Sequence, residues 1–271
     1  MVALGLLTTA ATVLAGCGSP SAASSGGAAT GGGGAPSAPS QAGGTRTDSA
    51  LPAALSHLHL VDSTGHRRTF ASFRGKVLVL SDGMTLCQET CPLDTASVVA
   101  TARAVDRAGL GNRVEFVTAT VDPARDSVSQ LAAYRRLFKP VPSNWVTLTG
   151  KPADIARLWH TLGVYTEKVS EGAGRAPKNW RTGKPLTYDV DHSDEVFFFD
   201  SRQHERFILE GPPHVNTKST VPSKLYQFMD KKGHHNLEHP DASAWTVPQA
   251  LRVIGWLTNR RIPGSGATTG R

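Results

Sequence analysis

The chain has 271 residues, and 29 Lys and Arg against 22 Asp and Glu give it a formal net charge of +7. The basic residues are scattered with no Lys/Arg block, so a nucleic-acid-binding function has little support, and weak attraction to anionic lipid or an acidic partner accounts for the charge. Three cysteines are too few for a disulfide scaffold.

The N-terminal run "MVALGLLTTAATVLAGC" is apolar and ends in Leu14-Ala15-Gly16-Cys17. Small residues before a cysteine, after a run of this length, mark a secretory signal processed at that cysteine. The tetrad resembles the bacterial lipobox, which implies cleavage before Cys17 and a lipid on its sulfur. Residues 18–50 are mostly Gly, Ala, Ser and Pro. They cannot bury enough surface to offset their ordering entropy, so a flexible tether is expected. Residues 51–271 remain, enough for one well-packed domain. Past the signal, no stretch is apolar for long enough to span a bilayer. The expected location is the outer face of a bacterial cytoplasmic membrane, held by the lipid.

Within the domain, "LHLVD" (58–62) reads as a strand and "KVLVLSD" (76–82) as a buried, β-branched one. The cysteine segment "TLCQETCP" follows at once, then a helical pattern through Val98, Ala102 and Val105 that stops at Gly109. "RVEFVTATVD" (113–122) is the next strand. "DSVSQLAAYRRLFK" reads as a helix with Asp126 as its N-cap. "WVTLTG" is a strand, "KPADIARLWHTLGV" a helix, and "EVFFFDSRQHERFIL" a hairpin. Residues 166–189 look like an inserted loop, and 213–271 like an extension with helices near 222–231 and 247–260. The expected class is α/β: a central, mainly parallel sheet with a closing hairpin and flanking helices. Cysteines at its strand-to-helix junction make that the thioredoxin arrangement.

Cys87 and Cys91 are four residues apart, with Pro92 suited to a first helical turn. Side chains at i and i+4 on a helix lie roughly 5–6 Å apart at Cβ, whereas a relaxed disulfide wants about 3.5–4.5 Å. The spacing therefore leans mildly towards metal ligation over rapid dithiol cycling, and a helix N-terminus favours the thiolate form. His192, in "YDVDHSDEVFFFD", sits on a polar stretch just before a very apolar strand. That is where a sheet delivers side chains to its functional edge.

Taken in order, "TLCQETCP", "TATVDPARDS", "WVTLTG" and "YDVDHS" resemble the Sco/SenC proteins. These are membrane-anchored, thioredoxin-fold factors that assemble the copper site of cytochrome c oxidase. The resemblance covers about residues 56 to 212 and implies copper ligation by Cys87, Cys91 and His192, with delivery to the CuA domain of oxidase subunit II. Gln88 and Asp82-Gly83-Met84 depart from the family's usual residues. Thiolates suit Cu(I) and imidazole suits both copper states, while a Cys2His set also fits zinc. Met84 is a packing residue or a soft ligand. Asp122 and Asp126 read as turn former and cap, and Asp191 and Asp194 as solvated acids or orienters of His192. His234, His235 and His239 fall on a stretch whose Gly233, Asn236 and Pro240 argue for a loop. The competing functions are an enzyme, a thiol-disulfide reductase using Cys87 or Cys91 and a thiol reductant partner, and a redox or copper sensor.

Overall fold

The computed structural model describes residues 36–39, 44–171, 176–215 and 220–266. Cys17 and the signal lie outside the described residues. An eight-stranded sheet runs in the order β1-β10-β9-β4-β5-β6-β2-β3, where β1 is Thr45–Ala50, β2 Leu60–Asp62, β3 Arg67–Arg68 and β4 Val77–Gly83. The later members are β5 Val114–Thr120, β6 Trp145–Gly150, β9 Glu195–Phe199 and β10 His204–Glu210. Helices intervene: α1 Ala53–Ser56, α2 Cys91–Arg107, α3 Val128–Arg135, α4 Pro152–Leu162, α5 Ser223–Phe228, α6 Lys231–Glu238 and α7 Val247–Thr258.

Only β4–β5 and β5–β6 pair in parallel; every other neighbour in this sheet is antiparallel. The sheet is thus mixed where the strand–helix alternation suggested a mainly parallel one. The hairpin β9–β10 docks beside β4, and short edge strands finish both sides. The core set β5-β4-β9-β10, with α2 crossing between β4 and β5 and α7 closing the chain, is a thioredoxin-like fold.

β4 and β5 are buried at every position, as expected of central strands covered on both faces. Strand alternation sends Val77, Val79, Phe116 and Phe198 to one layer with α2 and α7. Leu78, Leu80, Val117, Phe197 and Phe199 go to the other with α1 and α4. Each buried phenylalanine contributes roughly 1.5–3 kcal/mol, so the "FFF" run pins β9 between two cores. α4 starts with Pro152 in its first turn and ends at Gly163, whose φ of 81° only glycine adopts without strain. α7 opens on a full capping box between Thr246 and Gln249.

Four expectations change. Thr45–Ala50, assigned to the tether on composition, forms β1 against β10, because an edge strand needs backbone partners more than apolar side chains. The segment 166–189 is bounded by strands: β7 (Thr166–Ser170) pairs antiparallel with β8 (Tyr188–His192) in a separate ribbon. Ser127, not Asp126, caps α3, accepting from the Gln130 N–H. The His234–His235 stretch is helix α6, capped by Asp230. Its Gly233 is there for clearance, since a Cβ would drive into the Gln88 carbonyl and lie 2.9 Å from that of Glu89.

That clearance makes a prediction. Gly233→Ala should cost about 1–3 kcal/mol in urea denaturation and raise hydrogen exchange across residues 86–90. Unchanged exchange there would mean α6 does not hold the cysteine loop.

Candidate metal centre

The three residues singled out from sequence meet at one end of the sheet. β4 runs into the loop 84–90, which leads to Cys91 at the first position of α2. His192 closes β8, just ahead of β9, which pairs with β4. His192 is therefore a strand-end residue and not a loop residue, and its side chain is nearly fully buried. Cys87 precedes the helix instead of sharing its first turn with Cys91, because residues 88–90 bend before α2 begins. Both cysteines are buried free thiols.

His192 Nε2 lies 3.2 Å from Cys91 Sγ. Its other nitrogen is fully engaged: Nδ1 is 2.7 Å from an Asp82 carboxylate oxygen, 3.0 Å from the Ser193 carbonyl and 3.6 Å from Asp194. A proton on Nδ1 has acceptors on every side, which fixes the ring and directs Nε2 towards the cysteines. Asp82 is itself held by the Glu195 backbone N–H at 2.9 Å. Among the described residues, Asp82, His192 and Asp194 form the cluster of three ligand-type side chains with mutual distances within 4.8 Å. Both acids face Nδ1, so they orient the ring. Asp191 is exposed on the ribbon opposite Glu167.

The electrostatics pair the groups further. The Cys91 thiol donates to Cys87, which outweighs burial and, with the His192 charge and backbone N–H groups, holds Cys87 below the usual thiol range. The Glu89 N–H lies 3.4 Å from that sulfur. Burial, and then Cys87 itself, push Cys91 well above that range. Burial opposes charge on His192, but the Asp82 hydrogen bond and carboxylate raise it well above an ordinary histidine. Asp94, in the first turn of α2, is pushed up by burial and by the charges of Asp194 and Asp82, which favours its protonated form. Together these shifts favour the charged forms of Cys87 and His192 and the protonated form of Cys91.

Three elements clamp the loop. Asp126 is wholly buried and accepts from the Thr85 N–H and hydroxyl and from Thr120. Trp180, from the inserted segment, donates to the Thr85 carbonyl at 2.7 Å. On the third side, the Asp230 N–H donates to the Gln88 carbonyl at 3.0 Å, and Lys232 pairs with Glu89 at 2.6 Å. Asp122, expected as a turn former, is buried and binds Arg125 and the Tyr188 hydroxyl, tying the ribbon to the sheet. Met84 is buried with its sulfur 3.8 Å from the Arg125 guanidinium, a packing position.

Sequence reasoning missed Asp82, Trp180 and Asp230. The signal for Asp82 was present, as an acid ending an otherwise apolar strand. Trp180 and Asp230 act through loops and gave no periodic signal.

A thioredoxin-like domain with two thiols and one oriented imidazole at the end of its central strands defines the class. The SCO1/SenC family model matches residues 47–228, and the chain belongs to that family. Protein SCO2 homolog, mitochondrial, from Danio rerio is 32% identical over 139 residues, covering 51% of this chain and 45% of the relative. The Homo sapiens protein of the same name is 31% identical over 157 residues, covering 57% and 54%. This chain spans about half the length of the curated relatives it matches. Among solved structures, Bradyrhizobium japonicum ScoI with copper bound is 22% identical at a TM-score of 0.46, covering 64% of this chain and 97% of that one. No helix among the described residues is long and apolar enough to cross a membrane.

Two predictions follow the site's charges. Asp82→Asn removes the group that keeps His192 protonated and leaves burial, which opposes the charge. The imidazole should titrate lower than in the wild type by NMR, and metal affinity should fall about 10–100-fold. An unmoved imidazole titration would contradict Asp82 as its holder. Burial raises Asp126 from 3.8 to about 6 in the fold. A raised folded value means the proton stabilises the folded state, so this contribution is present below pH 3.8 and lost as pH rises through about 6. Relative to Asp126→Asn, the wild type should lose stability between pH 4 and pH 7 in denaturant titrations, by about 2–3 kcal/mol. Parallel curves for the two proteins would refute it.

Proposed function

We propose that this chain is a copper carrier that binds one ion through Cys87, Cys91 and His192 and passes it to the CuA site of cytochrome c oxidase subunit II. The observation that carries the reading is the imidazole, oriented from Nδ1 by Asp82 with Nε2 3.2 Å from Cys91 Sγ. A dithiol reductase has no need of such a group. The donor chemistry fits the cargo: two sulfurs and one imidazole nitrogen suit copper in either valence, and Cu(II) binds more tightly than other first-row divalent ions at such sites. Membership of the SCO1/SenC family supports the same assignment. A three-ligand site leaves room for an acceptor's ligand to enter before the donor's leave. Lipidation at Cys17 and a tether ahead of β1 would hold the carrier at the outer membrane face, within reach of a membrane-bound acceptor.

The lowered pKa of the Cys87 thiol, beside the Cys91 thiol, also favours a second reading, a thiol-disulfide reductase that acts on the acceptor's cysteines with a thiol reductant protein. His192 separates the two. Removing it outright would leave Asp82 and Asp194 buried without their cation, at a cost of about 3–5 kcal/mol. His192→Gln, which offers Asp82 a replacement donor, is therefore the variant of choice.

Wild type, once reduced, should bind one copper at the cysteine site, and Cu(II) bound through thiolate should give an intense charge-transfer absorption. Because the fold favours the protonated forms of His192 and Cys91, binding near neutral pH should release protons. In His192→Gln, copper affinity should drop while thiol exchange by Cys87 and Cys91 survives. Unchanged copper affinity and spectrum in a folded His192→Gln would return the weight to the reductase.

A further inference from the structure

The histidines of α6 divide into one that the fold uses and two that it does not. His234 packs edge-on against Tyr226, with ring centroids 4.5 Å apart. His235 and His239 are exposed, one helical turn apart, with ring centroids 4.8 Å apart and planes tilted by 40°. The turn that carries them is closed by the His239 N–H, which donates to the His235 carbonyl at 2.8 Å. Among the described residues, neither imidazole has a hydrogen-bond or ion-pair partner. Neutral imidazoles at i and i+4 present two nitrogen donors on one face. The pair also sits at the C-terminal end of its helix, where unpaired carbonyls and the negative end of the helix dipole favour a cation.

We propose that His235 and His239 form a second, solvent-facing site for Cu(II), which captures the ion ahead of the buried cysteine site. Imidazole suits Cu(II), which leads the divalent first-row series in affinity. Two ligands with water completing the shell make a weak, rapidly exchanging site, suited to capture and release. Binding there displaces water and transfers no electron. The buried centre has the opposite property, since Cys91 is 1% and Cys87 6% exposed. The two are linked by one element, because the N-terminal end of α6 is fastened to the cysteine loop at Gln88 and Glu89. The loading role rests on the carrier reading above; the binding site itself does not.

The test uses the full chain carrying Cys87→Ser and Cys91→Ser, which silences the buried sulfurs, titrated with Cu(II) alone and followed by electron paramagnetic resonance. A nitrogen-ligated Cu(II) signal is expected, and His235→Ala or His239→Ala should each weaken it by about tenfold or more. The same comparison in the wild-type background, reading the second equivalent of copper, serves if the serine variant folds poorly. In that background His235→Ala should slow loading of the cysteine site from dilute Cu(II) without lowering its final occupancy. Copper binding insensitive to both histidine substitutions overturns the site, and an unchanged loading rate overturns the capture role. Loss of copper from the cysteine centre alone, with the histidine signal intact, would count against the carrier reading and leave this site standing.

Discussion

The contact between Asp82 and His192 is the constraint on which the rest of the centre depends. It joins the end of β4 to the end of β8 across 2.7 Å, in a position with almost no water to screen it. Asp82 is also fastened to β9 through the Glu195 N–H, so strand register and imidazole orientation are set together. An acid at the end of a buried strand would be costly alone. Paired with an imidazolium and a backbone donor, it becomes the anchor that directs Nε2 at the cysteines.

The same economy of charge runs through the cysteine loop. The Cys91 thiol, backbone N–H groups and His192 all favour the thiolate form of Cys87, while burial and Cys87 favour the proton on Cys91. A metal cation would replace the protons on Cys91 and His192 and find the counter-charges already in place. The loop's shape is maintained from outside the centre, by buried Asp126, by Trp180 and by α6. Two of these three supports come from segments outside the thioredoxin-like core. The inserted segment and the C-terminal extension are therefore parts of the site's wall.

Much of this was legible in the sequence, and the exceptions have physical causes. β6 and the hairpin β9–β10 follow from apolar runs and turn residues. The cysteine pair and His192 stood out because their residue types carry chemistry. Strand direction was less legible: the pairing of β4 with β9 depends on where a hairpin docks, and no local period encodes that. Asp126 misled because an acid ahead of a helix is usually a cap; here it turns inward to satisfy Thr85 and Thr120, and Ser127 caps instead. α6 was hidden by Gly233, a helix breaker by propensity that is required by close contact with Gln88. Asp82 was visible, but its role became apparent only once His192 at the end of β8 was placed against it.

The central claim is that thiolate and imidazole donors from two distant segments bind one ion together. X-ray absorption at the copper edge, on reduced protein loaded with one equivalent of Cu(I), tests it most directly. The account predicts a first shell of two sulfur scatterers and one imidazole nitrogen. A shell of sulfur alone, or of nitrogen and oxygen without sulfur, would contradict it.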